Sequence, residues 1–293
     1  MDALTSLMIA AAVAYFMVAL GGAVAGRFIA RISPKWLQLC NATAGGVLIG
    51  VALCHMLAES AGGMSAWGTA ISSALGGEAD DPFPLGLFLA GVGFFLIISL
   101  EHLLGGHDHD TGHLHDEEES QDRQSSEINP EVESDGGIVN IKRATNTDLS
   151  GFTTLVGVSV HSIIESIATG SAQSADTFGI IVLAVLFHKG FAAFAVASSL
   201  QGIAKSNVTL WWSLIILFAL TGPIGILIGG ICKASVDGQG SAALQCLASG
   251  TLLAVGMNEL LMPALEDKGS WKRRKLAAAI FGFSAISLLA VWT

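Results

Sequence analysis

The sequence predicts an all-α polytopic membrane protein with eight transmembrane helices. Hydrophobic residues make up 52% of the 293 residues and charged residues only 13%, whereas a soluble domain carries roughly 25% charged residues. Eight apolar windows are each long enough to cross a hydrocarbon core, which takes about 20 residues. Alternation of polar and apolar residues over segments of about ten residues, the pattern of a transmembrane barrel, does not occur.

The eight windows must be helical, because a lipid environment offers no other partner for backbone N–H and C=O groups. They lie at about 3–27, 37–60, 83–104, 151–172, 177–201, 209–232, 240–263 and 273–292. The chain therefore divides into a first set of three spans at 1–104, a loop at 105–150 and five further spans within 151–293.

Basic residues are unevenly distributed among the connections between spans, and this distribution predicts the orientation. The connections after spans one, three, five and seven hold 12 of the 14 Lys and Arg residues, whereas those after spans two, four and six hold only Lys233. Cytoplasmic connections carry the excess of basic residues in membrane proteins. We therefore expect the odd-numbered connections in the cytoplasm and both termini outside it.

The loop at 105–150 is acidic and rich in histidine. It contains 12 Asp and Glu against three Lys and Arg, so it accounts for most of the formal charge of −10. No basic surface suggests nucleic-acid binding. The composition is too polar for a core and predicts disorder. Four histidines among the acids indicate either a flexible metal-binding tract or a solvated linker: His107, His109, His113 and His115.

Three ionisable residues lie near the predicted centre of the bilayer, where such groups are costly and prompt functional hypotheses. His161 and Glu165 share one face of span four, since positions i and i+4 are neighbours on a helix. Span five runs in the opposite direction and brings His188 to a similar depth. Imidazole and carboxylate groups together suit zinc and related divalent ions. The alternative is a buried His–Glu pair that only orients the helices.

Other polar residues leave two interpretations open. Ser162 is either a weak ligand or hydrogen-bonds its own helix backbone. His55 and Glu59, near the outer end of span two, mark either an entrance for ions or an interfacial helix end. Glu101 in span three and Glu259 in span seven, near the inner side, either line an exit path or end their helices in solvent.

The segments HSIIESIATG in span four and HKGFAAFAVA in span five resemble the paired motif of the ZIP (ZRT/IRT-like) metal transporters. The resemblance covers nearly the whole chain and implies a 3+2+3 bundle that moves zinc into the cytoplasm by alternating access, with iron, manganese and cadmium as other cargo. The ligands of that family match His161, Ser162, Glu165 and His188.

The sequence departs from that family at one position. Many members carry a second carboxylate one turn after the span-five histidine, where this chain has Ala192, and Lys189 follows His188 directly. The resemblance therefore implies one transported ion, with the Lys189 ammonium in the electrostatic role of a second cation. Lys189 pairing with Glu165, or projecting elsewhere, remains the alternative.

The absence of one motif argues against an enzyme of the membrane interior. No HExxH sequence occurs, so an intramembrane metallohydrolase is not expected, and we expect neither enzymatic activity nor a cofactor. The expected partners are the metal cargo and the lipid bilayer, in the plasma membrane, and a homodimer stays open. A membrane metal sensor that does not transport is the alternative function.

Overall fold

The structure of the protein is a computed structural model that describes residues 3–77, 81–104, 135–233, 236, 238–266 and 271–289, with only the helical backbone for 135–150. Within these ranges every regular element is a helix and none is a strand, which confirms the predicted all-α class. Seven helical segments in the described part are long and apolar enough to cross a membrane.

Most of the described helices follow one another after a few residues, whereas 30 residues separate α5 from α6. In chain order they are α1 (Ala3–Ile32), α2 (Pro34–Gly50), α3 (Ala58–Ala61), α4 (Ser65–Ala74), α5 (Leu85–Leu104), α6 (Asp135–Gly170), α7 (Ala175–Ser199), α8 (Gln201–Ser206), α9 (Val208–Cys232), α10 (Gly238–Ala254), α11 (Met262–Glu266) and α12 (Lys272–Leu289). One π-helical segment, Val51–Leu57, joins α2 to α3, and a second, Val255–Leu261, joins α10 to α11.

Capping residues fix where several of these helices begin. Pro34 occupies the first turn of α2, where its missing N–H costs nothing. The Ser174 hydroxyl accepts a hydrogen bond from the Thr177 N–H at 3.1 Å and starts α7. The Asn207 side chain accepts from the Leu210 N–H at 3.0 Å and starts α9.

The helices extend beyond several of the predicted windows. The second candidate span runs from Pro34 to Ala74, and α6 begins at Asp135, inside the segment whose composition predicts a loop. The four loop histidines at 107–115 lie outside the described residues. The described part of α12 is 18 residues long and begins with four basic residues. Its remaining apolar part is too short to count as a membrane span, so the eighth span stays a prediction.

Four pairs of long helices pack most closely: α1 with α7, α6 with α9, α2 with α12 and α5 with α10. Small residues allow backbones to approach closely in membrane helix pairs, and each of these crossings contains such a glycine. A Cβ added to any of the four glycines would overlap a carbonyl oxygen of the partner helix. The pairs in contact are Gly22 with Gly190, Gly229 with Ile167, Gly46 with Ala279, and Gly250 with Ala90.

The inside and outside of this bundle have opposite character. Large apolar side chains such as Phe95, Leu227 and Ile231 point outward and are 64–73% exposed, as expected for a surface that meets lipid. Polar side chains on α6 and α7 are instead buried. A polar centre enclosed by an apolar shell is the reverse of a soluble protein, and it places the ionisable residues away from lipid.

Candidate metal centre

Three buried side chains meet between α6 and α7. His161, Glu165 and His188 are each at most 3% exposed, and each offers one ligand atom within 4.8 Å of those of the other two. His161 and Glu165 lie one turn apart on α6, and α7 brings His188 beside them. The structure thus brings together the three residues that the sequence predicts at mid-membrane.

Both imidazoles are held through Nδ1, which leaves Nε2 facing the carboxylate. His161 Nδ1 lies 3.0 Å from the Ala248 carbonyl oxygen, and His188 Nδ1 lies 3.1 Å from the Ala184 carbonyl oxygen. A carbonyl only accepts hydrogen bonds, so each Nδ1 carries the proton and donates. Metal-binding histidines are commonly held in this way, with the other ring nitrogen free to bind the ion.

The Nε2 atoms of the two histidines have different surroundings. His188 Nε2 is 2.7 Å from Glu165 Oε1, so a shared proton joins these two atoms. His161 Nε2 is 3.8 Å from Glu165 Oε2 and is a buried polar atom with no hydrogen-bond partner in the described part of the chain. Ligands of a tetrahedral zinc ion, bound at about 2.0–2.1 Å, lie about 3.3 Å apart, so small side-chain movements would complete the site.

Ser162 and Lys189 contact each other beside this cluster. The Lys189 ammonium donates a hydrogen bond to Ser162 Oγ at 2.7 Å, and Thr221 Oγ1 lies 2.8 Å from the same oxygen. Lys189 is 2% exposed and its ammonium lies 5.0 Å from the centre of the Tyr15 ring. No ion pair joins Lys189 to Glu165 among the described residues, and Ser162 bonds this lysine instead of its own helix backbone.

His55 and Glu59 lie next to the buried cluster. His55 Nδ1 is 2.5 Å from Glu59 Oε1, and both residues line a cavity of about 20 Å³ together with Glu165 and His188. That volume holds about one water molecule. Glu59 and Gln245 also line a wider neighbouring cavity of about 380 Å³. Glu59 and Gln245 line both cavities, so the wider cavity lies next to the small one at the buried cluster.

The two carboxyl residues that were predicted near an exit path, Glu101 and Glu259, also lie together. Glu101 lies on α5 and Glu259 in the second π-helical segment, and their carboxyl groups are close to each other. The Asn258 amide donates to Glu101 at 3.4 Å, and the Thr154 hydroxyl donates to Glu259. These contacts join α5, α6 and the segment after α10 at one point.

The structure also places polar residues that sequence reasoning missed beside the cluster and its cavities. Thr251 Oγ1 lies 2.9 Å from His161 Nδ1, and the Ser60 hydroxyl donates to Gln245 Oε1 at 3.0 Å beside the wider cavity. Gln245 and Thr251 are both polar residues inside the apolar run of α10. That polarity is the only indication the sequence offers, because a contact with α6 depends on the rotation of both helices.

Comparison with known proteins identifies the family. The family model described as ZIP Zinc transporter matches residues 3–290. The chain belongs to the ZIP zinc transporter family. This confirms the resemblance predicted from the motifs in spans four and five, and the two histidines and the glutamate of the buried cluster come from those motifs.

Relatives within the ZIP family differ in how much of them this chain covers. Zinc transporter ZIP2 of Mus musculus is 27% identical over 276 residues, which cover 87% of this chain and 85% of that protein. Zinc transporter ZIP2 of Homo sapiens is 26% identical over 283 residues, which cover 87% of this chain and 85% of that protein. Probable zinc transporter 12 of Arabidopsis thaliana is 28% identical over 148 residues. The chain spans less than half of that plant protein, 41% of its length.

Proposed function

We propose that this protein carries zinc across the plasma membrane into the cytoplasm, using His161, Glu165 and His188 as the ligands of the transported ion. Family membership supports metal transport in general, and relatives such as the ZIP2 proteins are named zinc transporters. Two imidazoles and one carboxylate form a ligand set that suits zinc and accepts related divalent ions. Iron, manganese and cadmium are therefore candidate competitors.

The observation that carries the proposal is the buried cluster itself. Three protein ligands leave a fourth coordination position for water or for a passing group, as in zinc sites that exchange their bound molecules. A fully closed four-ligand site would hold the ion too firmly for a carrier. The free Nε2 of His161 supplies an unused ligand atom at the point where the ion would bind.

The two ends of the proposed route suggest an order of events. The cavities beside His55 and Glu59 would lead to the cluster from the outer side, and the small volume next to Glu165 implies that the ion loses most of its water there. The contacts around Glu259 would close the inner side. Alternating access would then have α6 and α7 move against the rest of the bundle and open the inner contacts.

We further propose eight spans in a 3+2+3 arrangement with both termini outside, with α12 as the eighth span. The packing supports an internal symmetry of the kind common in transporters. Spans one to eight correspond to α1, α2, α5, α6, α7, α9, α10 and α12. If spans one to three are exchanged in order with spans six to eight, and span four with span five, the α1–α7 pair becomes the α9–α6 pair. The same exchange converts the α2–α12 pair into the α10–α5 pair and relates the two π-helical segments.

Zinc uptake into proteoliposomes tests the function and separates it from a metal sensor, which would bind zinc without moving it. His161→Ala and His188→Ala should each abolish uptake at equal protein incorporation, because each variant keeps only two of the three proposed zinc ligands. Asp176→Ala is the matched control, since Asp176 is an exposed carboxylate in the first turn of α7 and should leave uptake unchanged. Normal uptake by both histidine variants would refute the site, and zinc binding without uptake by the unmodified protein would favour the sensor.

A further inference from the structure

We infer that Thr251 on α10 is a positioning residue that fixes the tautomer and orientation of His161 for metal binding. The inference rests on the proposed function, because it concerns how one of the proposed ligands is prepared. Thr251 itself does not reach the cluster as a ligand. It acts through His161, from a helix that contributes none of the three ligand atoms.

The hydrogen-bond geometry defines what Thr251 does. Its hydroxyl donates to the carbonyl oxygen of Ala248 at 2.7 Å, so the hydroxyl hydrogen points away from the imidazole. The lone pairs of Thr251 Oγ1 therefore face His161 Nδ1 at 2.9 Å, and the Ala248 carbonyl faces the same nitrogen at 3.0 Å. With two acceptors on one side, Nδ1 must carry the proton and Nε2 must carry the lone pair.

Burial prevents water from replacing either acceptor at His161 Nδ1. Thr251 is completely buried and His161 is 1% exposed, so solvent does not compete for Nδ1. The opposite tautomer would place a lone pair against two acceptors and leave Nε2 unable to bind an ion. A carbonyl alone would fix the proton, but the added hydroxyl sets the rotation of the ring, since both acceptors must lie near its plane.

The contact also depends on how α6 lies against α10. A second bond across the same interface, from the Ser241 hydroxyl to the Ala168 carbonyl at 3.2 Å, lies seven residues from His161 on α6 and ten residues from Thr251 on α10. Any movement of α6 along α10 would remove both acceptors from Nδ1 together. The site would then bind the ion firmly only in this register and would release it after the movement.

The test compares Thr251→Val with Thr251→Ser in the full-length protein. Valine replaces the hydroxyl by a methyl group of similar size, which cannot remain at hydrogen-bonding distance from the ring, because carbon contacts are optimal at about 3.5–4.0 Å. Removing the outer partner of a metal-binding histidine typically lowers affinity or activity by about 10–100-fold. We expect Thr251→Val to raise the KM for zinc uptake about tenfold with Vmax within about twofold, and Thr251→Ser to match the unmodified protein.

Two further variants separate positioning from general stability. Ser249→Ala removes a buried hydroxyl of α10 that donates to its own helix at the Cys246 carbonyl, so it should leave KM unchanged. Thr251→Ala removes the hydroxyl without a new contact and should raise KM several-fold even where the valine variant fails to fold. In purified protein, the increase in Tm caused by added zinc should shrink for Thr251→Ala and Thr251→Val and persist for Ser249→Ala.

The results distinguish this inference from the proposed function. Unchanged KM and zinc-induced stabilisation in Thr251→Ala and Thr251→Val, with loss of uptake in His161→Ala, would overturn only the role of Thr251. An equal rise in KM for Ser249→Ala would show a structural effect and overturn it as well. Uptake by His161→Ala at the rate of the unmodified protein would instead remove the proposed site.

Discussion

Replacing Glu165 by glutamine is the sharpest single perturbation of the proposed site. The amide keeps the size of the side chain and one oxygen, so the packing between α6 and α7 is preserved. The change removes the one carboxylate that contacts both histidines, at 2.7 Å from His188 and 3.8 Å from His161. It also leaves the buried Lys189 ammonium without that negative charge nearby, which further disfavours a divalent cation.

Coulomb's law sets the scale of the loss. A divalent cation and a carboxylate about 4 Å apart attract by about 8 kcal/mol at an effective dielectric constant of about 20. Desolvation of the 3%-exposed Glu165 offsets most of this attraction. If a quarter of it remains as net binding energy, about 2 kcal/mol, the affinity for zinc falls about thirtyfold.

The assay is zinc binding to purified protein together with initial rates of uptake into proteoliposomes. Glu165→Gln should raise the zinc Kd at least about thirtyfold and reduce uptake at low zinc concentrations by a similar factor. The Tm of the zinc-free protein checks that the fold persists. A glutamine variant that binds and transports zinc like the unmodified protein, at an unchanged Tm, would refute the electrostatic reasoning.

Two other predictions concern charge and packing. Lys189→Met should lower both the KM and the Vmax for zinc, because removing a buried positive charge near the site strengthens binding and slows release; a higher KM in uptake assays would contradict this. Gly22→Ala should lower the Tm, since its Cβ would overlap the Gly190 carbonyl and overpacking costs about 1–3 kcal/mol. Gly21→Ala is its control, because nothing lies within 4 Å of that Cβ, and equal Tm values for the two variants would disprove the close contact.

Local patterns in the sequence predicted the parts of the site that lie within one helix. His161 and Glu165 are one turn apart in a helix, so the shared face follows from helical geometry alone. The placement of His188 beside them required only that α7 runs antiparallel to α6. The apolar windows likewise predicted helices, although helix ends such as Ala74 and Asp135 lie beyond them, because an apolar window marks only the apolar part of a helix.

Contacts between helices were beyond the reach of sequence reasoning. The bonds from His161 to Thr251 and from Lys189 to Ser162 depend on how each helix is rotated about its axis. Local sequence patterns do not give that rotation relative to the neighbouring helices. The π-helical segments that contain His55 and Glu259 were also not predicted. Such segments add a residue to a turn and are frequent at functional sites, but their sequences read as ordinary helix.

The most direct test of the central proposal is the coordination of zinc bound to the purified protein, measured by X-ray absorption at the zinc edge. The proposal predicts two imidazole nitrogens and one or two oxygens at about 2.0–2.2 Å, with one imidazole lost in His161→Ala and one in His188→Ala. A zinc spectrum that is identical in the unmodified protein and in both variants would contradict the assignment of this site.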